Sequence, residues 1–150
     1  MDPTRRALNA VYFELGGNAI IYSINYERFL TQDISARIGV GYLSLGESLP
    51  DDGATAALTS VPVMINYLGV GQFNHRLELG AGFVALHVSA RAGAGFGSSF
   101  GSGLLAAGTA SVAYRYAPLN GGFTFKAGFT PLISSFGVYP TFGLSLGALF

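Results

Sequence analysis

The stretch Val11-Tyr12-Phe13-Glu14-Leu15-Gly16-Gly17-Asn18-Ala19-Ile20-Ile21-Tyr22-Ser23-Ile24-Asn25-Tyr26-Glu27 decides the fold. Before the glycines, Val11, Phe13 and Leu15 share one face and Tyr12 and Glu14 the other. After them, Ile20, Tyr22, Ile24 and Tyr26 oppose Ser23, Asn25 and Glu27. Alternation at every second residue is the strand period. Gly16-Gly17-Asn18-Ala19 supplies turn residues that tolerate positive φ, so the stretch reads as a β-hairpin. With Gly17 and Asn18 as the turn, Phe13 is expected opposite Tyr22 and Val11 opposite Ile24. The apolar faces then coincide, as sheet register demands.

The same alternation continues along the chain. Ile34, Ala36, Ile38, Val40 and Tyr42 oppose Arg37, Gly39, Gly41 and Ser35, the last reading as a rim position. Val61, Val63, Ile65 and Tyr67 oppose Pro62, Met64 and Asn66. Leu77, Leu79, Ala81, Phe83 and Ala85 oppose Glu78, Gly80 and Gly82. From Leu104 to Ala117, Ala106, Ala110, Val112, Tyr114 and Tyr116 oppose Thr109, Ser111 and Arg115. Phe123, Phe125, Ala127 and Phe129 oppose Thr124, Lys126 and Thr130. Phe142, Leu144, Leu146, Ala148 and Phe150 oppose Thr141, Gly143, Ser145 and Gly147. That makes eight strands of about the ~9–11 residues a tilted membrane strand needs. Short connections are expected at Thr31-Gln32-Asp33, Val70 to His75 and Pro118 to Gly121. Long loops are expected at Leu45 to Leu58 and Val88 to Gly103, and an intermediate one at Ile133 to Tyr139. Short turns on one end and longer loops on the other is the arrangement of outer-membrane barrels.

A helical membrane protein is the competing reading. Its best segment, Ala92 to Tyr114, carries Gly93, Gly95, Gly97, Gly101, Gly103 and Gly108. Each glycine costs a helix ~1 kcal/mol relative to alanine, so that reading fails. Composition points the same way. Half of the 150 residues are apolar and only 11% are charged, against ~25% in an ordinary soluble domain. The formal net charge of +0 gives no electrostatic reason to bind nucleic acid. Cysteine is absent and His75 and His87 are the histidines, so thiolate chemistry is excluded and no metal or cofactor is implied. The polar opening at 1–8 has no apolar core of a signal peptide. We therefore expect one domain over 1–150 with a polar lead-in at 1–8, seen in mature form with Met1 in place of a removed leader.

The polar face carries Glu14, Glu27, Arg37, Arg76, Glu78, Arg115 and Lys126, too few charges to solubilise an exterior. It is also rich in glycine, which suits a narrow interior. The bulky Phe, Tyr, Ile and Leu side chains occupy the other face and suit lipid. The expected fold is therefore an all-β, eight-stranded antiparallel transmembrane up-and-down β-barrel, with a soluble lipocalin-like carrier as the alternative. Tyr26, Phe29, Tyr42, Tyr67, Phe73, Tyr114, Tyr116 and Phe150 lie near strand ends, where an interfacial girdle would sit. Eight strands leave an interior only wide enough for side chains, so the seven charges read as an ion-paired network rather than a conducting path. Charges inside must be paired because desolvating a lone ion costs several kcal/mol. Placing Glu27 opposite Ser35 puts Arg37 on its diagonal, and Glu78 is expected to face Asn66.

Several motifs carry a family likeness: Tyr22-Ser23-Ile24-Asn25-Tyr26-Glu27-Arg28, Val61-Pro62-Val63 leading to Asn66-Tyr67, His75-Arg76-Leu77-Glu78-Leu79-Gly80, Tyr114-Arg115-Tyr116 and Phe129-Thr130-Pro131. With them, nearly the whole chain resembles the small outer-membrane β-barrel proteins of Bacteroidota and relatives, of the OmpX and OmpA-barrel kind. The resemblance implies a bacterial outer-membrane location, among outer-membrane lipids, and not a chemistry. We expect no catalytic residues, and an envelope protein partner is one hypothesis beside a structural or adhesive anchor. The end at Phe150 resembles the signal read by the barrel-assembly machinery, although Ala148 stands where that signal usually carries an aromatic. The enzymatic alternative is a lipid A-modifying enzyme. Outer-membrane lipid A deacylases set a His and a Ser two apart on a lipid-facing strand, as His87 and Ser89 are here. A triad also needs an acid to orient the His. No Asp or Glu follows Glu78, and Ala90 replaces the usual Asn after the Ser. The glycine run from Gly93 to Gly103 has no phosphate-binding spacing and reads as an outer loop.

Overall fold

The computed structural model describes residues 5–46, 55–91 and 100–150. Its strands are β1 (Asn9–Gly16), β2 (Tyr22–Phe29), β3 (Ile34–Gly46), β4 (Thr55–Gln72), β5 (His75–Arg91), β6 (Phe100–Tyr116), β7 (Gly122–Phe129), β8 (Leu132–Ser134), β9 (Gly137–Tyr139) and β10 (Phe142–Leu149). Successive strands from β1 to β7 pair antiparallel, β10 pairs with β7, and β10 returns to pair with β1. The result is a closed eight-stranded antiparallel barrel. The small hairpin β8–β9 sits on β6 through Gly108–Ile133 and Thr109–Leu132. It continues the line of β7 and β10 beyond Pro131 and Pro140.

Closure leaves each barrel strand with two partners around the ring, so the backbone polar groups there are satisfied without water. The side chains are inverted relative to a soluble protein. Glu14, Glu27 and Glu78 are fully buried, while Ile24 is 59% and Ile65 54% exposed. Exposed Phe13, Tyr26, Ile38, Leu79, Phe83, Val112 and Leu144 continue that outer surface around the barrel. An apolar surface of this extent is one that water does not tolerate on a monomer. The lumen is packed instead with polar side chains and small residues. At Gly80, a Cβ would collide with Asn66 Oδ1 and Ser111 Oγ.

Several expectations are corrected by this geometry. The first connection is wider than a two-residue turn. Gly17–Ala19 forms a single 3-10 turn, Ile20 follows at φ 81, and Gly16 N–H donates to the Ile21 carbonyl at 2.6 Å. Ile20 therefore belongs to the turn, Phe13 pairs with Ile24, and Val11 pairs with Tyr26. The slip is by two residues, which leaves the faces unchanged. Phe29 lies inside the barrel at 2% exposure, not in a girdle. With Ala7, Ala10, Tyr12, Leu68, Ala117 and Leu149 it forms an apolar cluster towards the chain termini. Leu68 continues the inner face of Met64 and Asn66, and the register shift between Tyr67 and Val70 turns Val70, two residues on, to the outside. The β3–β4 ladder also skips from Ile38–Val63 to Gly41–Ser60, where Pro62 has no N–H to give.

The long loops are corrected too. The β3–β4 ladder runs to Gly46–Thr55, and the β5–β6 ladder to Arg91–Phe100. Of the residues expected to be loop, from Leu45 to Leu58 and from Val88 to Gly103, those at 45–46, 55–58, 88–91 and 100–103 are strand. Their tips, 47–54 and 92–99, lie outside the described residues. β3 to β6 form a wall that outgrows the other side, where β1 ends at Gly16 and β2 begins at Tyr22. From Ser60 to Thr55 the excess is about 17 Å at the usual strand rise.

Candidate functional site

Three carboxylates and three cations meet in the lumen. Glu14 comes from β1, Glu27 from β2, Arg37 from β3, Glu78 from β5, Arg115 from β6 and Lys126 from β7. Each falls on the inner face by strand alternation. Arg37 Nη2 donates to Glu14 Oε1 at 2.6 Å, and Lys126 Nζ lies 3.3 Å from Glu14 Oε2. Arg115 joins Glu27 and Glu78, each at 2.7 Å. Lys126 Nζ closes the circuit on Glu78 Oε1 at 3.2 Å.

Neutral side chains add further hydrogen bonds. Ser145 Oγ donates to Glu14 at 2.9 Å, Asn66 Nδ2 to Glu27 at 3.1 Å, and Ser35 Oγ also bonds Glu27. Arg37 Nε donates to Asn25 Oδ1 at 2.9 Å. The Tyr12 ring stands among the cations, its centroid 5.5 Å from Arg37, 5.6 Å from Arg115 and 5.1 Å from Lys126. The space lined by Tyr12, Arg115, Thr124, Lys126 and Ser145 has no room for a water molecule.

The expected pairings differ from those observed. Glu27 lies directly opposite Arg37 in register, with Ser35 one step along the ladder on the same face. Even so, Arg37 turns across the lumen to Glu14, and Glu27 is held by Arg115. In so narrow a tube, a partner across the lumen is as near as one on the next strand. Ser35 is buried and is no rim residue. Glu78 pairs with Arg115 and Lys126 rather than facing Asn66, which stands opposite Gly80 in the ladder. Arg76 stands apart from the network. It lies 3.6 Å from Asp33 beside a cleft of about 440 Å³ at the end that holds the termini, lined also by Gln32, Gly69, Phe73 and Leu119. At that end Arg5 is buried over the Phe29 ring, 3.8 Å from its centroid, and burial pushes its guanidinium down to about 10.

The β1–β2 turn seals the other end of the lumen. Gly17, Asn18 and Ala19 are buried. Asn18 Oδ1 accepts from Arg37 Nη1 at 3.2 Å, and Asn18 Nδ2 donates to Thr109 on β6. Ser60 on β4 donates to the Ala19 carbonyl at 3.1 Å, and Thr141 to the Gly17 carbonyl at 3.3 Å. The turn is a plug folded inward. Gly17 is required there: its φ is +69, and a Cβ would strike the Glu14 carboxylate.

Above the plug the wall reverses its polarity. On the inner face, Leu43 pairs with Leu58, Leu58 with Val88, and Leu86 with Leu105. The outer face at the same height holds Ser44, Thr59, His87, Ser89 and Ser102. Treating these segments as loops hid the inner row. The signal lies in the spacing: Leu43, Leu58 and Leu86 fall out of step with Tyr42, Val61 and Ala85. His87 faces outward beside Thr59 and Leu104, and Ser89 beside Ala57 and Ser102. Phe150 is exposed, and its backbone exchanges two 2.8 Å hydrogen bonds with Asn9.

No protein-family model and no curated protein matches the sequence. Solved structures do match. The N-terminal β-barrel domain of Pseudomonas aeruginosa OprF superposes with a TM-score of 0.64 at 17% identity, over 99% of this chain and 100% of that one. Ail, the attachment invasion locus protein of Yersinia pestis, superposes at 0.59 and 16% identity in complex with the heparin analogue sucrose octasulfate. That match covers 95% of this chain and 92% of Ail. A second Ail structure gives 0.53 at 15% identity with the same coverage. Both are eight-stranded outer-membrane barrels, and at these identities the likeness speaks for the fold.

Proposed function

We propose that this chain is a non-enzymatic integral protein of the bacterial outer membrane, a sealed anchor that holds a β-wall and its loops outside the bilayer. The carrying observation is the blocked lumen: six charges locked in mutual pairs beneath an inward plug. The outward apolar band supports a lipid surround, and the shorter turns and termini lie on the periplasmic side. The wall is where an envelope partner would engage. The finer kinship with the Bacteroidota proteins rests on the sequence motifs.

Two other readings have less behind them. His87 and Ser89 have no acidic ladder neighbour, which disfavours a lipid-modifying enzyme. Polyanion binding of the kind Ail's complex displays would need basic loops, whereas 47–54 carries Glu47, Asp51 and Asp52. The test is reconstitution into a planar bilayer. The purified barrel, checked by faster gel migration unboiled than boiled, is expected to give no unitary current. Stable ohmic steps would overturn the sealed-anchor reading.

A further inference from the structure

We propose that the inner face of the wall above the plug holds a hydrocarbon chain of a bilayer lipid, entering sideways over the β1–β2 turn. The proposal rests on the outer-membrane reading and goes beyond it. The surface is Leu43, Leu58, Leu86, Val88 and Leu105, which the ladders join into one patch across four strands. Leu105 is 52% exposed and Val88 37%, so the barrel's own packing leaves the patch open. Its concave side carries a row of leucine and valine side chains, whereas its outer side is mixed, with Ser44, Thr59, His87 and Ser89 beside exposed Tyr42 and Leu104.

The geometry also supplies an entrance. β2 pairs with β3 only as far as Val40, so β3 from Tyr42 to Gly46 has one unpaired edge. On the other side β9 pairs with β8 alone. Between these edges stand the short β1 and β2, leaving a gap three strand spacings wide, about 14 Å. An extended acyl chain passes easily through such an opening. The lower lip of the gap is Leu15, Ile21 and Tyr22, all exposed and continuous with the lipid-facing band below. Apolar side chains therefore stand at the lip as well as on the inner face of the wall.

The floor fixes the depth. Asn18 and Ala19, with the ion pairs below them, stop a chain from descending into the lumen. Among the described residues no charged side chain lies on the inner face above the plug, so nothing there would draw in a lipid headgroup. The headgroup stays at the lip, and only the chain enters.

The sequence contains no tryptophan, so single-tryptophan variants report one position each. Leu86→Trp probes the inner face, Thr59→Trp the outer face at neighbouring height, and Ile65→Trp the bilayer-facing band. Each is folded, verified by heat-modifiable migration, and placed in phosphatidylcholine vesicles with brominated acyl chains, whose bromines quench on contact. The expected result is strong quenching and blue-shifted emission at Leu86→Trp and Ile65→Trp, with neither at Thr59→Trp. Adding Leu58→Asp should abolish quenching at Leu86→Trp and leave Ile65→Trp unchanged. If Leu86→Trp behaves like Thr59→Trp while Ile65→Trp is quenched, the groove holds no lipid and the proposal alone falls. Equal quenching at Leu86→Trp and Thr59→Trp would mean a wall sunk in the bilayer, which also overturns it. Blue-shifted but unquenched emission at Leu86→Trp would assign the groove to protein. An unquenched Ile65→Trp would refute the membrane reading, and the proposal with it.

Discussion

The lower and upper halves of β3 to β6 are built from the same ladders, yet their faces are exchanged. Below the plug, Ile38, Val63, Leu79 and Val112 point out while Arg37, Glu78 and Arg115 point in. Above it, Ser44, Thr59 and Ser89 point out while Leu43, Leu58 and Leu86 point in. No register shift separates the halves: the partners run in step from Tyr67–Leu79 up to Thr55–Arg91. A strand fixes two faces, and the side chains alone decide which face meets which medium. The lower half is solvated by lipid outside and by its own ion pairs inside, and the upper half is arranged for water outside.

The comparison breaks most sharply at Arg115. Replacing it with Ala leaves Glu27 without a paired cation and Glu78 with Lys126 alone, and breaking a buried pair from one side costs about 3–5 kcal/mol. Denaturant unfolding in detergent should register that loss, and a change near zero would mean water reaches the network. Next comes the outer face. Ile38→Arg should lower membrane stability by about 2–4 kcal/mol, whereas Thr59→Arg, above the apolar band, should cost about 0–1 kcal/mol. Folding titrations into vesicles would compare them, and equal penalties would erase the boundary between the halves.

A double-mutant cycle sharpens the lower half. Arg37→Ala and Glu14→Ala should couple within the ~0.5–3 kcal/mol range of contacting pairs. The Arg37–Glu27 cycle should couple less, although these two are direct ladder neighbours. Unfolding midpoints decide, and the reverse order would reassign the ion pairs. The smallest expected effect is at Leu45, 62% exposed on the upper inner face. Leu45→Asn should change stability by about 0.5 kcal/mol or less, as at an ordinary surface site. Ile65 has similar exposure, but Ile65→Asn should impair insertion visibly in the same vesicle assay, because its surroundings are lipid.

What the sequence disclosed follows from this physics. Alternation revealed the strands and faces of the lower half because each face there keeps one character over many residues. The interior charges were legible as a set, since Glu14, Glu27, Arg37, Glu78, Arg115 and Lys126 all fall in phase with small polar neighbours. Their pairing was not legible. Alternation describes neighbours on adjacent strands, whereas Arg37 and Glu27 find partners across the tube. The turn is not legible because Ile20, a β-branched residue, adopts a positive φ that its side chain disfavours. Phe29 joined the girdle on residue type alone, although its spacing from Asn25 and Glu27 already put it inside. The upper wall was missed because its polarity runs opposite to that of the strands it extends.

The ladder that closes the barrel has a consequence for the order of events during assembly. Every other ladder in the ring joins strands that follow one another directly or across the small β8–β9 hairpin, so each can zip from a nearby turn. The β1–β10 ladder instead brings together positions as distant as Glu14 and Ser145, 131 residues apart. Loop closure over such a span is entropically costly and yields contacts only once the intervening strands are in place. Glu14 can meet Arg37 early, within the first hairpins, but its bonds to Ser145 and Lys126 must wait for the seam. The lumen network is therefore completed last, and it fastens the seam from inside at the moment the ring shuts.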